Sequence, residues 1–455
     1  MSGHALETQS LRPFIAALDA AGDLIRVTAP VDLEYELAAY LYHLDRRAPV
    51  VFENVAGHSL KVAGNLLSSR AGIAAGLGVE PAGLRDRIVT AVRAPLKPVT
   101  VPSGPCQEVE VADPDLSQLP VPTFFAHETG PYITAGAIVA TDTATGRGNL
   151  SIARLKPIGA NRAFIGIAPN HHLAVLARAA KARGERLEIA VTIGNHPAVM
   201  MASALYLGLG EDELHVAGAL LGAPVAVVDC KSVALRVPAA CEIVLEGTLD
   251  PDSAVEEGAV SEFHGYYERY GAGQVVTFHR LTRRHDAIYQ CILPGYGAEH
   301  VLIGAVSIAA GLARHLADAV PSFHDVAVTP GGAGRLHAVI SLAEPPPGAV
   351  EAAMSTVWDA VSLIKLITVV DAEIDPWDPV RVEWAVATCM RPERDLTVVE
   401  GARADRAEPL ERDRRIAKLG IDATRKAGDR DDWTPARPPE DVLARVARKI
   451  AALTD

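Results

Sequence analysis

Apolar residues recur along the chain with two different periods, and the changes between them divide it. At residues 11–20 and 33–43 they return every three to four positions, as on one buried helix face, and short strand-like runs follow at 24–27 and 50–52. This alternation predicts a small α/β lobe over residues 1–105. Residues 95–131 break the rhythm. Pro98-Val-Thr-Val-Pro102 and Leu119-Pro-Val-Pro-Thr123 set proline where a helix or inner strand needs an amide donor, so the segment is expected to be a linker or an extended passage across the surface.

Between residues 133 and 293 the runs become β-type, at 134–140, 150–155, 187–193, 225–228, 243–247 and 274–281, with helical patterns at 173–183 and 213–221. A β-rich, barrel-like domain over residues 106–305 is predicted. An apolar helix at 301–316 opens the last third, where strands at 326–329, 337–342 and 366–370 and a helix at 349–360 suggest a second α/β lobe, residues 306–455. A charged linker from 429 leads to a helix at 440–453, placed to pack on a partner subunit. The fold class expected is α+β with α/β lobes flanking the β-rich domain.

Composition narrows the function. With 455 residues, 49% of them hydrophobic and 22% charged, the chain can bury several cores. A net charge of -13 and a pI near 5.6 leave no basic face for nucleic acid, and the basic words Arg280-Leu-Thr-Arg-Arg-His285 and 412–415 are short enough to be solvated faces. No run approaches the roughly 20 uninterrupted apolar residues of a membrane span. Met1-Ser-Gly-His-Ala-Leu-Glu7 lacks the basic and apolar parts of a signal peptide, so a cytoplasmic protein without membrane partners is expected. The five cysteines show no Cys-x-x-Cys spacing and are expected to be buried thiols.

Candidate chemistry lies in a few short words. Glu257 and Glu262 stand five positions apart in Glu256-Glu257-Gly258-Ala259-Val260-Ser261-Glu262-Phe263-His264-Gly265. Confined together, two carboxylates favour a protonated form of one, which is how a proton donor is built. Asn149-Leu-Ser-Ile-Ala-Arg154 sets Asn149, Ser151 and Ala153 on one side of a strand, with a guanidinium at its end. His171-His172 opens one helix and Glu213 another, and Asn, His and Glu together form the oxygen and nitrogen set that manganese tolerates. Met201-Ala-Ser-Ala-Leu205 offers carbonyls and a hydroxyl or an ordinary core turn, and Lys365 points a cation at a phosphate or snorkels to solvent. Pro330-Gly-Gly-Ala-Gly-Arg335 lacks the Gly-Lys-Ser/Thr of a P-loop and reads as a flexible turn.

Taken in order, these words resemble the UbiD family of reversible decarboxylases. The resemblance is carried by Asn149-Leu-Ser-Ile-Ala-Arg154, Glu213-Leu-His-Val-Ala-Gly-Ala-Leu220, Arg236-Val-Pro-Ala-Ala-Cys-Glu-Ile-Val-Leu-Glu-Gly247, Glu257-Gly-Ala-Val-Ser-Glu262, Val369-Val-Asp-Ala-Glu-Ile-Asp375 and Lys418-Leu-Gly-Ile-Asp-Ala-Thr424. It implies a central split barrel like that of FMN reductases, binding prenylated FMN, and a C-terminal oligomerisation lobe that builds a homodimer or homohexamer. Arg154, Glu257 and Glu262 become the implied catalytic trio. Asn149, His172 and Glu213 become the ligands of a divalent ion, Mn2+ in kind, that ties the flavin phosphate down, with His171 the lesser alternate. Ala202, Ser203 and Leu205 match a K+ site sharing Glu213; Thr134, Ser151, Ile152 and Ala153 match flavin contacts, and Lys365 a phosphate contact.

Two words depart from the family: Thr388-Cys389-Met390-Arg391-Pro392, and Gly258-Ala259-Val260-Ser261 in place of Gly-Pro-aromatic-Gly. The implied substrate is an aromatic, heteroaromatic or α,β-unsaturated acid, with CO2 as co-product and a flavin prenyltransferase as cofactor supplier. Phe263, His264 and the segment 293–300 are expected near the substrate, and a polar histidine there favours an aromatic or heteroaromatic acid. The other readings are a plain FMN-dependent oxidoreductase, which needs no such trio, and a non-catalytic flavin-binding subunit of a decarboxylase complex, which intact acids disfavour.

Overall fold

The computed structural model describes residues 6–169, 171–426, 428–430, 433–434 and 436–454. In the first lobe the helices Arg12–Ala20 and Glu36–Leu44 accompany the strands Ile25–Val27, Val50–Phe52 and Lys61–Gly64. Pro13 sits in the first turn of Arg12–Ala20, where its missing N–H is harmless, and Phe14 and Ile15 turn inward. The sheet has a fourth strand, Ile288–Gln290, which arrives from far along the chain and pairs in parallel with Lys61–Gly64. That strand couples the first lobe to the middle of the molecule.

The central sheet positions the site. Its strands run in the order Gly148–Ile152, Ala137–Thr141, Leu187–Ile193, Ile243–Glu256, Ala272–Arg283, Arg162–Ile165 and Leu155–Pro157, and Val109–Ala112 pairs elsewhere along Ala272–Arg283. The single strand expected at 150–155 is therefore two strands at opposite ends of the sheet, joined by only Ala153 and Arg154. Two residues span so little distance that the sheet must curl until its ends meet. Ile133 and Leu155 close the gap with reciprocal backbone hydrogen bonds of 2.8 and 3.1 Å. The expected strands 243–247 and 274–281 are parts of one long antiparallel pair with irregular register at Glu246/Gly247 and between Asp250 and Val255.

Two expectations fail here. The run at 225–228 is not in the curled sheet: Ala226–Asp229 forms a separate three-stranded sheet with Arg236–Pro238 and Val99–Thr100. An apolar run cannot tell which sheet will bury it. Nor is 95–131 a surface linker. It holds the strands Val99–Thr100 and Val109–Ala112 and two short 3-10 turns, and it buries Leu116, Leu119, Val121 and Phe124. Its strands lie at sheet edges and Pro105 opens a turn, positions where proline removes no ladder bond.

The helix Ala298–Ala319 leads into the last lobe. By length and composition it is apolar enough to cross a bilayer, but 72% of its most apolar stretch is buried inside the fold. It packs against the helix Leu84–Arg93 of the first lobe, the helix Ala349–Ala360 and the strand Phe323–Val328. The mixed sheet beyond it runs Phe323–Val328, His337–Leu342, Leu366–Asp371, Arg415–Asp422, Leu396–Arg403. Leu396–Arg403 is an exposed edge, and the helix Glu440–Thr454 leaves Leu443, Val446 and Ile450 exposed. The charged linker expected before that helix lies partly outside the described residues. Of the five cysteines four are buried, and none forms a disulfide.

Candidate active site

Arg154 stands where the two ends of the curled sheet meet, and the loop after Ile243–Glu256 brings both acids to it. Its Nε and Nη2 donate to Glu257 Oε1 and Oε2 at 2.6 and 2.8 Å, a bidentate pair, while Nη1 lies 3.4 Å from Glu262 Oε1. Glu257 is only 1% exposed. Burial works against the charge of Arg154, but the bond to Glu257 and the field of both acids override it and hold the guanidinium charged. Glu262 keeps more access to solvent and accepts a long 3.3 Å bond from the Phe263 amide. The two glutamates thus differ in kind: one is locked to the arginine, the other is loosely held and partly open to solvent.

The loop is pinned from beneath. Gly258 has φ +88, and a Cβ there would fall 2.7 Å from the Thr129 methyl, so the turn between the acids needs glycine. Thr129 Oγ1 donates to the Glu257 carbonyl at 2.8 Å, and the Lys156 ammonium bonds both that carbonyl and Thr129. Lys156 is buried, which lowers its affinity for a proton, with Glu257 acting to retain it. Glu128 accepts from the Ser261 amide and hydroxyl at 3.2 and 2.7 Å, and burial pushes its carboxyl upward. Among the described residues neither the Tyr132 nor the Tyr270 hydroxyl, both buried, makes a hydrogen bond of good geometry; burial raises both, helped by Glu257 at Tyr132 and by Glu262 at Tyr270.

A second cluster lies on the strand that leads to Arg154. Leu150 N donates to Glu213 Oε2 at 2.9 Å, and Glu213 Oε1 is 4.0 Å from His172 Nδ1. Asn149 Nδ2 donates to Ser151 Oγ at 2.9 Å, which leaves its carbonyl oxygen free to act as a ligand. Glu213 is 3% exposed and, mainly through burial, is pushed up to about 7: a carboxylate that a cation would relieve. Among the described residues no three His, Cys, Asp or Glu side chains gather as a metal cluster. Asn149 stands beside Leu150 on the strand, so an amide, a carboxylate and an imidazole, donor types that a divalent ion such as manganese tolerates, belong to one neighbourhood. The Nδ1 of His171 instead accepts the Leu173 amide at 3.4 Å as a helix cap.

The remaining expected residues fall in several places. Thr134 Oγ1 accepts the Ile292 amide at 2.9 Å, and Ser151, Ile152 and Ala153 line the same edge as Asn149 and Arg154. Ser203 Oγ donates to Met200 O at 2.7 Å and the Ala202 carbonyl accepts from Leu205 N, so the expected cation contacts already serve a helix end. Lys365 belongs to the last lobe and forms an ion pair with buried Glu408. Near it, Arg406 lays its guanidinium 4.6 Å from the centre of the Tyr270 ring, whose other neighbour is Arg154 at 5.7 Å. The last lobe therefore reaches the trio.

Sequence reasoning missed Lys156, Glu128, Thr129 and Tyr132. A lysine two positions from Arg154 on a buried strand was the available signal for the first; the others lay in or beside the segment read as a linker.

Comparison with known proteins finds relatives along nearly the whole chain. Residues 15–92, 97–297 and 301–423 match the N-terminal domain, the Rift-related domain and the C-terminal domain of the 3-octaprenyl-4-hydroxybenzoate carboxy-lyase (UbiD) models. The anhydromevalonate phosphate decarboxylase of Methanosarcina mazei is 32% identical over 431 residues, 94% of this chain and 99% of the relative. The UbiD-class enzyme HmfF from Pelotomaculum thermopropionicum, in complex with FMN, superposes with a TM-score of 0.91 at 37% identity, covering 96% of this chain and 99% of that one. An evolved dimeric form of the same enzyme, in complex with prFMN, gives 0.87 at 36% identity over 94% and 97%.

Proposed function

The chain belongs to the UbiD family of carboxy-lyases, and from that premise we propose that it is a reversible, non-oxidative decarboxylase of an aromatic, heteroaromatic or α,β-unsaturated acid, working with prenylated FMN. The observation that carries this reading is the bidentate Arg154–Glu257 pair with Glu262 at the third guanidinium nitrogen. When bound, prenylated FMN supplies the electron sink that an sp² carbon lacks as CO2 departs.

The chain's own residues supply position and protons. Arg154, held charged by Glu257, orients the carboxylate of the substrate. Glu262, loosely held and partly accessible, carries the proton that replaces CO2 on the carbon. Buried Tyr132 and half-buried Tyr270 beside the loop limit water and strengthen each charge interaction. Because each step runs both ways, high CO2 favours carboxylation.

Asn149, His172 and Glu213 would hold a Mn2+-like ion that neutralises the flavin phosphate, with Thr134, Ser151, Ile152 and Ala153 along the flavin. Lys365 would reach the phosphate by exchanging Glu408 for it, and Ala202, Ser203 and Leu205 would face K+. The curled sheet would be the split barrel of the flavin domain, within a division at 1–105, 106–305 and 306–455. The exposed edge Leu396–Arg403 and the apolar positions of Glu440–Thr454 support the last lobe as the contact in a homodimer or homohexamer. A flavin prenyltransferase would supply the cofactor. The test is Glu262→Gln: it should retain the flavin and lose turnover, and a variant with full activity would remove Glu262 from this role.

A further inference from the structure

The glycine-rich word Pro330-Gly-Gly-Ala-Gly-Arg335 is not the flexible turn that its composition suggests. Gly332 and Gly334 donate to Thr329 O, and Leu336 N donates back to Gly332 O. A Cβ on Gly332 would fall 2.4 Å from His337 Cβ, and one on Gly334, at φ +68, would fall 2.4 Å from the Val301 carbonyl. The turn is pressed onto the helix Ala298–Ala319. What it delivers there is Arg335.

The seat of Arg335 is built on three sides. Its guanidinium lies 4.9 Å from the centre of the Phe263 ring, the residue after Glu262. It rests on Gly304, where a Cβ would come within 2.7 to 2.9 Å of its terminal atoms. One helical turn earlier stands His300, whose Nδ1–H donates to Gly295 O at 2.9 Å; burial, then the charge of Arg335, push this histidine down to about 3 and keep it neutral. The charge of Arg154 also reaches His300, so both arginines flank one region. Yet Arg335 forms no ion pair among the described residues, and its Nη1 is buried without an acceptor. Arg154 is committed to two carboxylates, whereas half-buried Arg335 has none, and its buried Nη1–H is costly to leave unpaired.

We propose that Arg335 is the docking point for a second anionic group on the substrate, so that the preferred acid carries a further carboxylate or a phosphate across its unsaturated or aromatic skeleton. This rests on the decarboxylase reading for the word substrate, but not for the binding itself. An aromatic floor, no competing acid and an unmet N–H are what an anion needs.

The test is calorimetric binding to the flavin-loaded protein, with benzoate against terephthalate and against 4-phosphooxybenzoate. The native chain should bind one of the doubly anionic acids about tenfold or more tightly than benzoate, the two arms distinguishing carboxylate from phosphate. Arg335→Gln should bring that ratio close to one while leaving benzoate and FMN binding unchanged, and Arg335→Lys should restore part of it. Gly304→Ala, which displaces the guanidinium without changing its charge, should lower the ratio as well and serves if Arg335→Gln does not fold. A native protein with no preference, a ratio preserved in these variants, or loss of FMN with the ratio intact would overturn the proposal. An Arg335-dependent ratio with no turnover of any acid would instead count against the decarboxylase reading alone.

Discussion

Replacing Glu257 by glutamine removes the charge that Arg154 is built around. The pair consists of two short bonds, 2.6 and 2.8 Å, to a carboxylate that is 1% exposed; after the substitution one amide oxygen can still accept, but the negative charge left to the guanidinium is that of Glu262 at 3.4 Å. Breaking one side of such a buried pair costs about 3–5 kcal/mol, and the 25% access that the Arg154 side chain retains puts the expectation at the lower end, about 3 kcal/mol. Arg154→Gln should cost somewhat less, because Lys156 still offers a nearby positive charge to the stranded carboxylate. In the double variant neither charge is stranded, so its loss should fall short of the sum of the singles by about 2 kcal/mol or more. Urea unfolding of all four proteins, followed by fluorescence with constant m values, reads this directly. Additivity within about 0.5 kcal/mol would refute the reasoning.

Gly258→Ala meets both a positive φ and the Thr129 methyl at 2.7 Å, so it should lose about 1–3 kcal/mol and most of the turnover; pairing it with Thr129→Ser should recover the steric part, and no recovery would count against the contact. Glu299, wholly buried at the start of Ala298–Ala319 with Leu67 N donating to it at 3.0 Å, is pushed up to about 8, chiefly by burial. Between the ordinary carboxylate range and pH 8 the folded chain keeps a proton that the unfolded chain gives up, so this group's contribution to stability falls as pH rises through that window. Glu299→Gln removes this dependence and should gain on the native protein from pH 5 to pH 8; thermal unfolding curves offset equally at both pH values would contradict it. Stripping divalent ions, or His172→Ala, should weaken flavin retention by about 10–100-fold on desalting, and undiminished retention would exclude the Asn149, His172 and Glu213 site.

Local periodicity made much of the fold legible. The helices 173–183 and 349–360 and the strands 187–193 and 337–342 lie within a residue of their observed positions because one buried face dictates each pattern. What periodicity could not convey was partnership. The word Asn149 to Arg154 looks like one strand because its side chains suit a strand throughout, and only the closure of the sheet makes it two. The buried proline-rich segment misled for a related reason: proline excludes inner strands, but edge strands and turns can still enclose a core. The trio was found from its motif and stands together in space. Lys156 left a signal in its place two positions after Arg154, but Glu128 and Arg335 make their contacts with distant segments, and no spacing in the sequence records those.

The central claim is that these residues serve a modified flavin in decarboxylation. It is tested most directly by expressing the chain with and without a flavin prenyltransferase and measuring deuterium incorporation from D2O into a panel of decarboxylated products, beside the flavin's mass and spectrum. The account predicts prenylated FMN in the coexpressed protein, with exchange and CO2 release confined to it and abolished by Glu262→Gln. Unmodified FMN in both preparations, together with NAD(P)H consumption and no exchange, would contradict it.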